Sequence, residues 1–192
     1  MSGALELNGG TMPWDIGRPQ KAFVDLEKAG EIQGSILDVG CGTGENAMHM
    51  AKKGYRTVGV DSSPTSIAKA MLKTSQRNLP VKFIIFEPLQ LEQLGMIFDT
   101  IIDSGLFHLY DDSTRPLYVQ SLARVLKPEG YLHLLCISEG NFGSFGPKRV
   151  TKGAFRFYFN EGWEVKAIKS ARFEVNYGRG WKWAWLATIK RR

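Results

Sequence analysis

The stretch Ile36-Leu37-Asp38-Val39-Gly40-Cys41-Gly42-Thr43-Gly44-Glu45 limits the fold of this chain more than any other. An apolar run leads directly into three alternating glycines, and Ala47, Met48, Met50 and Ala51 then recur at helical spacing. That pattern predicts a strand that turns sharply into a helix over Gly44–Lys53, with Gly54 as its C-cap. Glycines at such a turn permit positive φ and leave no β-carbon between the main chain and a ligand lying across the strand's carboxyl end.

Short β-branched runs alternate with helix-like segments from Ser35 onward, which predicts a parallel sheet covered on both faces. The strands read Ser35–Gly40, Arg56–Asp61, Val81–Glu87, Phe98–Ser104 and Tyr131–Ser138, with two more after Trp163 joined by Gly178-Arg179-Gly180. Ser63 reads as an N-cap with Pro64 at the first helical position of a helix reaching about Asn78. A further helix, Thr114 to Leu126, is expected to stop before a turn at Lys127-Pro128-Glu129-Gly130. Glu139 to Pro147 reads as a mobile loop. Trp181, Trp183 and Trp185 share one face of a strand and are expected in the core.

At 192 residues the chain is expected to form one domain, with residues 1–34 as an N-terminal covering segment and 35–192 as the main body. No apolar run approaches a membrane span, and Met1 to Gly10 lack the features of a secretory signal, so a cytoplasmic location is expected. Cys41 and Cys136 form neither a disulfide framework nor a metal-ligand spacing, and no metal is expected. The formal charge of +6 is spread out, clustering only at Lys148-Arg149 and Lys190-Arg191-Arg192. This reads as a solvated surface and charged tail rather than a nucleic-acid footprint.

The second predicted strand ends in Asp61, about 20 residues past the glycines, where a carboxylate can accept both hydroxyls of an adenosine ribose. For the dinucleotide pattern G-x-G-x-x-G the third glycine would fall at position 45, which is Glu45. A carboxylate opening the helix repels a pyrophosphate that seeks its positive end, so a phosphate-free adenosine ligand is favoured.

These residues resemble the class I S-adenosylmethionine-dependent methyltransferases: DVGCGTGENA is similar to their first motif, GVDSS to their acidic second-strand end, FDTIIDSGLFHLYDD to their fourth-strand motif and LKPEGYLHLL to their fifth. Pro13-Trp14-Asp15-Ile16-Gly17-Arg18-Pro19 resembles the opening of the thiopurine, thiol/halide and tellurite-resistance-like branch, which acts on small molecules. The resemblance implies a three-layer α/β Rossmann-like sandwich with a seven-stranded, mostly parallel sheet whose last strand is antiparallel. It implies S-adenosylmethionine as cofactor, with S-adenosylhomocysteine as product. Gly40, Cys41, Gly42 and Gly44 would line the methionine part and Asp38 its amino group. Asp61 would hold the ribose, Ser62 would border the adenine, and Glu87 would accept from the adenine amino group. Pro88 lacks the N–H that family members offer there. Trp14 and Arg18 would belong to a segment folded over the cofactor.

In such a sheet the residues after the fourth and fifth strands face the transferable methyl: Asp103, Ser104, Gly105 and His108, then Ser138 to Pro147. His108 is the expected base or substrate contact, because an imidazole titrates near neutral pH. Asp103 is expected in the polar network beside the cofactor and within reach of the acceptor. His49 and His133 read as structural. Phe142, Phe145 and Arg149 could frame an apolar pocket with one anion contact. The expected acceptor is a small molecule such as a thiol, selenol, halide or metalloid species, and the chain a monomer or homodimer. A nucleic-acid or protein methyltransferase is the alternative enzyme, and a cofactor-binding partner subunit without catalysis is the alternative from another class.

Overall fold

The computed structural model of the chain describes residues 12–140 and 149–192. Seven strands form one sheet: β1 Ile36–Val39, β2 Thr57–Asp61, β3 Val81–Ile85, β4 Phe98–Ser104, β5 Leu126–Ile137, β6 Trp163–Glu174 and β7 Trp181–Arg191. Their order is β3-β2-β1-β4-β5-β7-β6, with β1 to β5 parallel and β7 antiparallel between β5 and β6. Helices α1 Lys21–Lys28, α2 Glu45–Lys52, α3 Pro64–Arg77, α4 Arg115–Val125 and α5 Lys152–Tyr158 cover its faces. The expected sandwich is therefore the observed one. Strand order reverses at β1, whose neighbours β2 and β4 lead to opposite sides, and this opens a crevice at the strands' carboxyl ends.

Local chemistry sets the helix ends. Ser63 Oγ accepts the Ser66 N–H at 3.2 Å, with Pro64 at the first helical position of α3. α2 starts after Gly44 and ends before Gly54, which takes positive φ. The strand centres carry the apolar load: Leu37, Val39, Ile101, Leu132 and Leu134 pack against Tyr118, Leu122 and Phe155 on one face. Ile36, Ile102 and Leu135 pack against Phe23, Leu26 and Met50 on the other.

Three expectations need correction. Lys127-Pro128-Glu129-Gly130 lies within β5: Leu126 pairs Phe98 and Tyr131 pairs Thr100, so the extra residues bulge out of the ladder without ending the strand. The tryptophan stripe of β7 is not core, since Trp183 is 49% exposed and Trp181 and Trp185 are half-buried. Cations cover those rings instead, the Arg172 guanidinium lying 4.5 Å from Trp181 and the Lys152 ammonium 4.4 Å from Trp185. Finally, α1, α5 and a 3₁₀ segment over Pro88–Leu94 were unexpected. No described helix is long and apolar enough to cross a membrane.

Candidate functional site

The turn after β1 and the end of β2 are tied together by one carboxylate. Asp61 Oδ2 accepts the Gly42 N–H at 2.9 Å and Oδ1 accepts the Ser63 N–H at 2.8 Å, while the Cys41 N–H reaches the Val60 carbonyl. Each carboxylate oxygen keeps a second lone-pair site, so Asp61 can still accept two hydroxyls from the crevice. The three glycines serve different ends. A β-carbon on Gly42 would meet nothing within 4 Å, whereas one on Gly40 would stand 3.0 Å from Leu106 and one on Gly44 only 2.4 Å from the Phe83 ring. Gly42 thus presents bare main chain to open space, and Gly44 exists to admit Phe83.

Asp38 lies fully buried behind this turn. Its Oδ2 accepts the Ala47 N–H at 3.0 Å in the first turn of α2, and its Oδ1 is a buried oxygen without a hydrogen bond. Burial pushes its pKa up to about 8, and the nearby Asp103 and Asp61 add to the rise. Asp103 is raised to about 7, again by burial. Asp61 at the crevice wall and the idle Oδ1 of Asp38 behind it suit a ligand carrying positive charge, which would draw the proton from Asp38.

Two adjoining hollows occupy the crevice. One is lined by Trp14, Asp15, Arg18, Gly40, Gly42 and Gly44 among others; its neighbour is lined by Gly40, Gly42, Asp61, Ser62, Ser63, Pro88, Ser104, Gly105, Leu106, Leu109 and Phe173, with Trp14 again. The structure therefore brings together Trp14, Gly40, Gly42, Gly44, Asp61, Ser62, Pro88 and Ser104 as expected.

Other expected contacts are drawn elsewhere. The Cys41 side chain packs with Ala47, Met48, Ile67, Ala70 and Phe83, away from the crevice, so only its backbone is offered. Glu87 is exposed, lines neither hollow, and its Oε1 accepts the Leu89 N–H at 3.3 Å as the cap of the 3₁₀ segment. Arg18 reaches the rim but closes its guanidinium fork on Glu174 at 2.9 and 3.0 Å. Glu45 does not stand as a free charge at the head of α2: burial pushes its pKa up, but hydrogen bonds from Arg77 and Lys73 outweigh this and hold it below the usual range. Opposition to phosphate rests on Asp61 at the crevice wall instead.

The two expected catalytic groups are also committed. Asp103 is fully buried and accepts from Leu106 N–H at 2.7 Å, Phe107 N–H at 3.1 Å and Tyr118 O–H at 2.9 Å. It is the cap that folds the turn after β4, and it lines neither hollow. His108 is 4% exposed, and its Nδ1 accepts the Ile137 N–H at 3.2 Å. Burial, with the charge of Arg115, lowers its pKa to about 3. A neutral ring whose bare nitrogen is already bonded is no base. His133, bonded to Thr188 and the Glu31 carbonyl, and His49 beside Glu27 are structural. Phe142 and Phe145 lie outside the described residues, and Arg149 lines neither hollow.

The segment from Met12 is laced over the site partly by motif residues and partly by Gln20, Glu174 and Asn176, which carried no sequence signal. The Thr43 hydroxyl donates to Asp15 Oδ1 at 3.0 Å, and Asn176 donates to the Met12 and Asp15 carbonyls. Gln20 clasps both backbone groups of Glu174 at 2.8 and 2.9 Å while its own N–H meets Asn46.

The raised aspartates predict a pH effect. A carboxyl whose pKa rises on folding favours the folded state below its unfolded value of about 3.9, and that contribution is lost as pH climbs to the folded value. Buried histidines act oppositely, but only up to about pH 6.5. The melting temperature of the ligand-free protein is therefore expected to fall from pH 6.5 to 8, and to fall less steeply with Asp38→Asn. A rising melting temperature over that window would contradict the two burial shifts.

Comparisons with known proteins bear on the same residues. Residues 36–130 match the methyltransferase domain family. The chain is 33% identical over 167 residues to 2-heptyl-1-hydroxyquinolin-4(1H)-one methyltransferase of Mycobacteroides abscessus, spanning 85% of this chain and 74% of that protein. It is 32% identical over 131 residues to probable thiol methyltransferase 2 of Arabidopsis thaliana, spanning 64% and 55% respectively. A structure solved for the conversion of a disulfide bond into a thioacetal group during echinomycin biosynthesis superposes with a TM-score of 0.87 at 36% identity, covering 95% of this chain and 86% of that one.

Proposed function

We propose that this chain, which belongs to the class I S-adenosylmethionine-dependent methyltransferases, methylates a small molecule through a heteroatom that is already ionised, a thiolate or an N-hydroxy heteroarene. When bound, S-adenosylmethionine supplies a methyl on a sulfonium, which leaves as a neutral thioether. The protein then has to align the partners and exclude water.

Asp61 would accept the ribose hydroxyls, and Ser62 and Pro88 would border the adenine. The Gly40–Gly42 main chain would lie against the methionine part, with Asp38 Oδ1 taking its ammonium and Trp14 closing over the top. The fit follows from charge: the cofactor's ammonium would give Asp38 Oδ1 the partner it lacks. Binding would also hold Asp38 ionised at a pH where burial alone would protonate it.

The observation that carries the acceptor class is the commitment of His108 and Asp103, which leaves no described side chain at the reacting end poised to remove a proton. An acceptor that must lose a proton at high pKa is then poorly served, whereas a thiol near 8.5 supplies its own thiolate. The names of the relatives agree with this, since a thiol and an N-hydroxyquinolone each carry an acidic heteroatom, and a disulfide has no proton for a base to remove. The thiol/halide and tellurite-resistance-like branch is the reading within the family that this supports.

The test is a panel of thiols, halides, 1-hydroxyquinolin-4-ones and phenols with methyl-labelled cofactor. Label is expected in the thiols or the N-hydroxyquinolones, with kcat/KM falling as acceptor pKa rises past the assay pH. Preference for phenols or amines over every acidic acceptor would overturn the proposal.

A further inference from the structure

We propose that His108 touches the acceptor as a hydrogen-bond donor, its Nε2–H directed at the ionised atom that receives the methyl; this rests on the acceptor class proposed above. The protonation pattern comes from geometry. The Ile137 N–H sits at the end of β5 on a residue only 9% exposed, and its bond to His108 Nδ1 satisfies an amide that burial would otherwise leave unpaired. A neutral imidazole that accepts at Nδ1 carries its proton at Nε2, and there it can only donate. Adding a second proton would break the Ile137 bond.

The ring is also brought to the right place. Gly105 has φ of 90°, and a β-carbon there would stand 3.0 Å from His108 Cε1 and 2.9 Å from the Phe173 ring. Gly105 and Phe173 both line the second hollow, and Phe173 meets the imidazole edge-on at 5.6 Å between centroids. Cε1 bridges the two ring nitrogens, so this edge of the imidazole packs directly behind Gly105 and Phe173, two residues of the hollow's wall, and the missing Gly105 side chain leaves the ring nothing but main chain on that side. The Arg115 guanidinium lies near enough to oppose a second proton on the ring, and it favours an anion there.

Charge decides what such a donor does. Methyl transfer from a sulfonium to an anion neutralises both charges, so a hydrogen bond to the anion is stronger before the transition state than in it. The donor therefore holds and ionises the acceptor without speeding the displacement itself, and its loss appears in KM and in the pKa of the bound acceptor.

His108→Asn separates the roles, because its Oδ1 can still accept the Ile137 N–H while the donor at Nε2 is gone. With a thiophenol or 1-hydroxyquinolin-4-one acceptor above its pKa, KM is expected to rise about tenfold, as for one lost charged hydrogen bond. kcat is expected to stay within about threefold and cofactor affinity to be unchanged. The rising limb of the kcat–pH profile should move to higher pH. Unchanged KM with kcat lost only for weakly acidic acceptors would make His108 a base, and no change at all would make it structural; either overturns the proposal. A ¹⁵N spectrum of the S-adenosylhomocysteine complex decides independently of turnover: His108 should remain a neutral Nε2–H ring from pH 6 to 9 and shift when thiophenolate is added. An Nδ1–H ring, a titrating ring or an unmoved Nε2–H would sink it. Silence of the whole acceptor panel would instead count against the acceptor class, leaving the spectrum to judge His108.

Discussion

Asp61→Ala is expected to lower affinity for S-adenosylmethionine by about 10- to 100-fold, since each charged hydrogen bond lost costs about 1.5 to 3 kcal/mol. The carboxylate has two tasks, and the substitution removes both. It would no longer accept the ribose hydroxyls, and the Gly42 and Ser63 amides that it ties would be released, loosening the turn on which the ligand rests. Asp61→Asn is not expected to rescue the loss. Both protein partners of Asp61 are N–H donors, so the amide end of an asparagine would face one of them donor to donor. Calorimetric titration with S-adenosylhomocysteine measures the effect without turnover, and an affinity within twofold of the parent would remove Asp61 from the site.

The second large effect concerns stability and turns on the Phe83 ring, which is slotted between two glycines. A β-carbon at Gly44 would lie 2.4 Å from Phe83 Cζ, and one at Gly59 would lie 2.5 Å from Cε1. Gly44→Ala adds left-handed strain at φ 84° to that clash. Overpacking costs about 1 to 3 kcal/mol and the backbone conformation about 1 to 2 kcal/mol more, so a loss of about 2 to 5 kcal/mol is expected. Gly59→Ala carries the clash alone. Adding Phe83→Leu trims the ring away, and should recover most of the Gly59→Ala loss but only part of the Gly44→Ala loss. Urea unfolding of the two single and two double variants reads this difference. Equal recovery at both positions would show that backbone strain at Gly44 contributes nothing.

What the sequence makes legible is what is local. The apolar run into Gly40, Gly42 and Gly44 specifies strand, turn and helix within a dozen residues, and Asp61 closes the next strand in the same way. Parallel order of β1 to β5 follows because each of these strands is separated from the next by a helix or a longer crossover, whereas the short turn between β6 and β7 makes them antiparallel. Partners distant in sequence are not legible. Glu45 reads as an unopposed charge until Lys73 and Arg77 fold over it from α3. Gly44 reads as a ligand contact and does line the crevice, but its second task, admitting the Phe83 ring, has no trace in the sequence.

Asp103 and His108 show a subtler limit. Their residue types fit acid–base chemistry, and their positions after β4 fit a reacting end. Whether a carboxylate serves its own turn or a ligand depends on where Leu106, Phe107 and Tyr118 direct their protons. Whether an imidazole is a base depends on one amide at Ile137, in a different strand. Gln20 carries no signal at all, because its clasp on Glu174 joins residues 154 positions apart.

The central claim is that a phosphate-free nucleoside is held between the β1 turn and the carboxylate ending β2, and a crystal structure of the S-adenosylhomocysteine complex tests it most directly. The account predicts both ribose hydroxyls on Asp61, the homocysteine chain against Gly40–Gly42, and its ammonium within bonding distance of Asp38 Oδ1. Density for the nucleoside away from Asp61, with Asp38 Oδ1 still unpaired, would contradict it.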